Sequence, residues 1–218
     1  MRPSSGGRIK LIWGIDMKTQ MRFQKILMIV TIVVGALGAV YGLIFTSGSF
    51  AQINWIVEEL KEVKDCFNII QAANNIIFGA GIALVVVSVV PVIAACQSRR
   101  KYYITNYVAI GLVLAMQLIY IIIVIINIAN CMSAFNSLDF ELVKETYDFY
   151  PAFRSQYGEL SATPWTPIAG FVLIGVIVIN MVLLVLNTVW KVKLMKGEKQ
   201  LLEQCKSVES GDSAAEVV

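Results

Sequence analysis

Histidine is absent from this 218-residue chain, and none of its 33 charged residues falls inside four long apolar stretches. The first absence removes the most versatile general base and the commonest metal ligand. The sequence also has no phosphate-cradling glycine loop, no zinc-type cysteine spacing and no complete N-glycosylation sequon. Ion and proton pathways usually place ionisable groups at depth in the membrane, and these stretches carry none. The expectation is therefore a protein that is not an enzyme and holds no metal, cofactor or nucleic acid. Charged residues are only 15% of the chain against 57% hydrophobic ones, too little polar surface to cover a soluble globule.

What the chain does have is length in its apolar runs. Segments 26–45, 76–96, 104–129 and 168–190 each hold about 20 residues or more, enough for a helix to cross ~30 Å of hydrocarbon. They predict an all-α fold, a four-helix transmembrane bundle with helical extensions beyond the membrane. The rest divides into an N-terminal segment 1–25, loops 46–75 and 130–167, and a tail 191–218. Fourteen of the 18 basic residues lie in the N-terminal segment, the short second connection and the tail, whereas the two loops hold four bases among nine acids. Basic flanks resist translocation, so both termini are expected in the cytosol and both loops outside. The first span has too long an apolar core for a cleaved signal and is read as a retained anchor.

The first loop carries Ile53, Ile56, Leu60, Val63, Phe67 and Ile70 at alternating intervals of three and four, a helical stripe. With no Pro or Gly before Gly79, one continuous helix running into the second span is expected. In the second loop, residues 133–150 suggest a short amphipathic helix burying Phe135, Leu138, Leu142 and Tyr147 and ending at Pro151, followed by irregular chain. The ring cluster Tyr147, Phe149, Tyr150, Phe153 and Tyr157 either packs on the first-loop stripe or forms a partner-binding patch.

Cys66 and Cys131 fall on the outer side. The short connection between spans two and three forces an antiparallel hairpin that places them at similar height, so a Cys66–Cys131 disulfide is expected, with free or intermolecularly paired thiols as the alternative. Cys96, beside Arg99, Arg100 and Lys101, is a candidate for palmitoylation, and Cys205 a lesser one. Gly35, Gly38 and Gly42 share a face of the first span and imply close helix contact; Gly79 with Ala83 and Gly111 with Ala115 repeat the small-residue spacing. Bundle packing or a homo-oligomeric face explains all of these. Gln117 and Asn180 share a depth near the bilayer centre, where an unpaired amide is costly, and are expected to bond each other or a partner. Pro91 should kink the second span. After Lys206 the tail is polar and small, a composition that disfavours folding, and its last residues Glu216, Val217 and Val218 have the form of a PDZ ligand.

Four spans, cytosolic ends and two outside loops form a layout that resembles that of tetraspanins, claudins, connexins and the MARVEL group. The resemblance is topological. The Cys-Cys-Gly of tetraspanins, the Gly-Leu-Trp with paired cysteines of claudins and the several loop cysteines of connexins are missing, so no family's functional residues are carried over. The expected role is a non-enzymatic tetraspan that organises protein partners at a junction, adhesion site or vesicle, with the plasma membrane as its expected location. The expected partners are the bilayer, other membrane proteins, a PDZ-type cytosolic scaffold and a second copy of the chain. The alternative is a channel-forming or channel-modulating subunit, with Gln117, Tyr120 and Asn127 of the third span and Asn180 and Asn187 of the fourth lining a route in an oligomer.

Overall fold

The computed structural model describes residues 5–96 and 103–215, and all regular structure among them is helical. In chain order the elements are α1 (Ser5–Ile44), α2 (Ser49–Asn54), α3 (Lys61–Cys96), α4 (Tyr103–Asn136), α5 (Phe140–Phe149), α6 (Pro151–Tyr157) and α7 (Thr166–Ala215). Ile- and Val-rich runs of this kind suit strands in water. In hydrocarbon, where no solvent can satisfy the backbone, the same residues close their hydrogen bonds within a helix. Four helices, α1, α3, α4 and α7, are long and apolar enough to cross a membrane. The apolar helical part of α4, the shortest of the four, has 31 residues, about 46 Å of rise against ~30 Å of hydrocarbon, so the bundle projects beyond the bilayer.

The four long helices form a ring in which α1 packs on α3 and α7, and α4 on α3 and α7. The start of α1 and the end of α7 therefore lie at one end, the terminal end, and α2, α5 and α6 cap the other, the loop end. The faces are arranged for lipid. Ile29, Val33, Leu37 and Val40 of α1 and Val178, Ile179, Val182 and Leu186 of α7 are exposed, while Gln20, Gln24, Thr31, Asn180 and Asn187 are buried between the helices. Lipid tails are as apolar as leucine, so close packing and interhelical hydrogen bonds must hold such a bundle together.

Close packing is strongest between α1 and α3. A Cβ on Gly35 would stand 3.3 Å from the Val85 Cα, and on Gly42 2.5 Å from the Phe78 Cα, while one on Gly81 would stand 2.6 Å from the Ala39 Cα. The pairs step in opposite directions along the two helices, which fixes an antiparallel register with backbones in contact. Gly38 serves a different neighbour, the Tyr120 ring of α4. Gly79 and Gly111 meet nothing within 4 Å, so the bundle-packing role expected of them falls instead to Gly81, whose stripe continues Ile70, Ala73, Ile77 and Leu84 on the buried face of α3.

The ends depart from the sequence expectations in four places. The first-loop stripe does face the core, with Ile53, Ile56, Val63 and Ile70 buried, but it is not one helix. Gly48 takes a left-handed φ of 62° against the Trp165 ring, α2 is only six residues, and the backbone turns from Trp55 to Glu59 before α3 begins. A helix continued upward through Ile53 would carry it above everything it could bury against; folding over closes it on the core. The irregular stretch expected after Pro151 is helical in α6, where Pro151 occupies the first turn and opens the element, with Tyr150 extended before it, as the residue preceding proline prefers. α5 buries Val143 where Leu142 was expected, and is capped by Asp139, whose side chain accepts from the Leu142 amide at 3.2 Å. Finally, α7 continues to Ala215. Its composition after Lys206 is poor for nucleating structure, yet extending an existing helix avoids the nucleation step. α3 passes Pro91 as a single helix.

Candidate functional site

Two regions bring the sequence-selected residues together: a polar ladder inside the bundle and the folded cap at the loop end. The ladder begins at the terminal end, where Lys191 Nζ donates to Gln24 Oε1 at 3.3 Å and lies 5.7 Å from the centroid of the Tyr107 ring. Gln24 Nε2 donates to Asn106 Oδ1 at 3.2 Å, and Gln20 Nε2 to Asn187 Oδ1 at 3.0 Å. An apolar layer of Leu27, Met28, Ile110, Val113 and Leu184 follows. Near mid-bundle, Gln117 Nε2 donates to Asn180 Oδ1 at 2.8 Å; Asn180 Nδ2 donates to Thr31 Oγ1 at 3.2 Å, and Thr31 in turn donates to the Leu27 carbonyl at 2.8 Å. Tyr120 Oη then donates to the Gly38 carbonyl at 2.8 Å, with the same residue offset that relates Asn106 to Gln24. Tyr41 Oη donates to the Thr166 carbonyl at 3.1 Å and closes the ladder at the loop end.

This arrangement links α1, α4 and α7 at three depths. Among the described residues, Gln20 Oε1, Gln117 Oε1 and Asn187 Nδ2 have no hydrogen-bond partner. Asn127 bonds the Ile123 carbonyl of its own helix and takes no part in the ladder. Gln20 and Gln24 were missed because Arg22 and Lys25 lie among them. Window averages read 1–25 as a charged flank, while the helix puts both bases outward and both amides inward.

The cap joins the two loops. Gln52 Nε2 donates to the carbonyls of Tyr157 and Glu159 at 3.0 and 3.1 Å. Trp55 lies against Phe153 and Tyr157 with ring centroids 5.4 and 5.5 Å apart, and Tyr150 Oη donates to Glu59 Oε1 at 2.8 Å. That hydrogen bond raises the Tyr150 hydroxyl above its ordinary pKa. Tyr147 is fully buried, donating to the carbonyls of Phe153 and Gly158 at 3.2 and 3.3 Å, and burial pushes its hydroxyl up as well. Below them Phe45, Phe50 and Phe135 form a chain of rings spaced 5.7 and 5.5 Å apart.

The five rings read as one patch thus separate. Tyr147 is core, Tyr150, Phe153 and Tyr157 pack on the first loop, and Phe149, 77% exposed, meets the Tyr150 ring edge-on at 5.4 Å between centroids. Trp55, their anchor, carries no periodic signal and was not singled out. Exposed Leu142 lines the smaller of two adjoining clefts that together form a trough. The larger, about 740 Å³, lies between a face of α3 with Glu62, Asp65, Cys66 and Ile69 and a face of α4 with Asn130, Ser133 and Ala134, continued by Ser137 just after the helix. Small side chains on α4 leave this gap, and the smaller cleft extends it past Glu59 and Asp139.

Cys66 and Cys131 are both buried and both free thiols, so the expected bridge is not formed in this structure. They belong to the same apolar cluster, on adjacent helices. Cys96 is the last residue of α3 and Cys205 lies on α7, but their side chains fall outside the described residues, as do Glu216, Val217 and Val218 altogether. No group of three or more His, Cys, Asp or Glu side chains with metal-binding geometry occurs among the described residues.

Together the four apolar helices and their lipid-facing surface define a multi-pass membrane bundle. No family model, curated protein or solved structure matches the chain.

Proposed function

We propose that this protein is a non-enzymatic membrane scaffold that organises other proteins through its loop-end cap. The observation that carries the reading is the cap itself. Two loops and three short helices are joined by hydrogen bonds and ring contacts into one platform, yet Phe149 and Leu142 are left exposed on it, Leu142 at an acidic cleft. Large exposed apolar side chains on a surface that also carries a polar groove are the composition of a protein-contact surface. The excess of basic residues at the terminal end supports an outside cap and cytosolic termini, with the plasma membrane as the favoured location. There the tail Glu216-Val217-Val218 would meet PDZ-type scaffolds and Cys96 would be open to acylation. In that oxidising compartment, exchange of the Cys66 and Cys131 thiols with an oxidised dithiol donor would pin α3 to α4.

Immunoprecipitation from mild detergent, comparing the full chain with the Leu142→Ser/Phe149→Ser variant, tests this reading. Loss of specific neighbours with the fold retained is expected; an unchanged set would overturn it.

The channel alternative draws on the three amide atoms of the ladder, Gln20 Oε1, Gln117 Oε1 and Asn187 Nδ2, that lack a hydrogen-bond partner. Against it stands the layer of Leu27, Met28, Ile110, Val113 and Leu184, which separates the two polar levels with close-packed apolar side chains. On this reading the ladder is glue between helices. Reconstituted protein should leave bilayers electrically silent, and Gln117→Leu should alter no current; a conductance abolished by Gln117→Leu would restore the alternative.

A further inference from the structure

At the terminal end, α4 and α7 part around Tyr107 and leave an open cleft of about 220 Å³, lined by Tyr107, Val192, Met195, Lys196 and Lys199. The α7 residues recur at the three- and four-residue intervals of a single helix face. The floor is apolar, Val192 and Met195, with the Tyr107 hydroxyl donating to Met195 Sδ at 3.3 Å. The rim carries two exposed ammonium groups, Lys196 and Lys199, and among the described residues no carboxylate belongs to the lining. Beneath it, buried Lys191 adds a third positive charge below the Tyr107 ring.

Depth follows from the aromatic pair Phe23 and Trp190, whose ring centroids are 6.1 Å apart on the lipid-facing surface of α1 and α7. The amphipathic indole of Trp190 favours the hydrocarbon–headgroup boundary. Lys196 lies six residues beyond Trp190, about 9 Å of helix rise, and a lysine stem can reach back over most of that distance. The ammonium groups thus come to headgroup level, while Val192, two residues beyond Trp190, stays near the boundary at the level of the glycerol.

We infer that this cleft binds an anionic phospholipid of the leaflet on the terminal side, its phosphate between Lys196 and Lys199 and its glycerol on Val192 and Met195. Charge complementarity argues for the phosphate, since cationic juxtamembrane clefts between helices attract anionic headgroups. The apolar floor argues for a lipid over a free anion, which would gain nothing from Val192 or Met195. The inference is independent of any partner at the loop end.

Native mass spectrometry of the delipidated full-length protein, offered dioleoyl phosphatidylserine or dioleoyl phosphatidylcholine in detergent, tests it. Phosphatidylserine should be retained in preference to phosphatidylcholine. Lys196→Gln and Lys199→Gln should each weaken its retention about fivefold. Val192→Trp, which fills the cleft and leaves every charge, should weaken it too, and Lys193→Gln, an exposed lysine outside the lining, should not. Thermal melts confirm that each variant is folded. Equal retention of the two lipids, an equal loss with Lys193→Gln, no effect of Val192→Trp, or displacement of the lipid by millimolar inorganic phosphate would each overturn the assignment.

Discussion

Gly42 of α1 and Phe78 of α3 approach so closely that a Cβ on the glycine would lie 2.5 Å from the Phe78 Cα. Backbone, not a movable side chain, occupies the space, and Gly81 makes the reciprocal approach to Ala39 one turn away. The α1–α3 seam is therefore the part of the bundle least able to accept added volume.

Substituting Gly42→Leu or Gly81→Leu should part the helices and destabilise the bundle by about 1–3 kcal/mol or more. Gly79→Leu and Gly111→Leu, which point into open surroundings, should change stability by less than about 0.5 kcal/mol. Unfolding of the purified protein in mixed micelles by denaturing detergent separates the two groups.

Gln117 and Asn180 should show modest coupling. A double-mutant cycle with Gln117→Leu and Asn180→Leu should give about 0.6–1.7 kcal/mol, the range for hydrogen bonds inside membrane bundles. Asn180→Leu should be the costlier single change, because Asn180 also bonds Thr31. The same micelle unfolding curves measure both.

Trp55→Ala removes two ring contacts that hold α6 to the first loop, each worth about 0.5–1.5 kcal/mol beyond its buried area. Tryptic cleavage after exposed Arg154 should accelerate several-fold, with the long helices still protected, in a time course followed by intact mass.

Oxidised Cys66 and Cys131, closing a long loop, would add about 4 kcal/mol of stability. Protein taken from native membranes with free thiols blocked should yield a peptide pair joined through Cys66 and Cys131 and lighter by two hydrogens. Full alkylation of both thiols without reduction would remove the bridge from the account.

Spans were legible in the sequence because hydrocarbon admits only one answer to an uncharged run of this length. Gln117 and Asn180 stood out because amides are rare at such depth. Less visible were features set by which way a helix face turns. Gly81 follows from extending the buried stripe Ile70–Ile77–Leu84, whereas the small-residue spacing pointed to Gly79. Gln20 and Gln24 were hidden by neighbouring bases that occupy the other face. α6 was obscured by the two opposite roles of proline, which stops a helix from inside and starts one from its first turn. Trp55 became important only when folding brought the two loops together, a contact between distant segments that local pattern does not encode.

Site-specific photo-crosslinking in cells tests the scaffold most directly, with p-benzoylphenylalanine placed at Phe149 in one protein and at Tyr147 in another. The exposed position should form discrete adducts with another protein of the membrane or its outer surroundings, and the buried one only links within the chain. Adducts absent from position 149, or identical from both positions, would contradict a partner-binding cap.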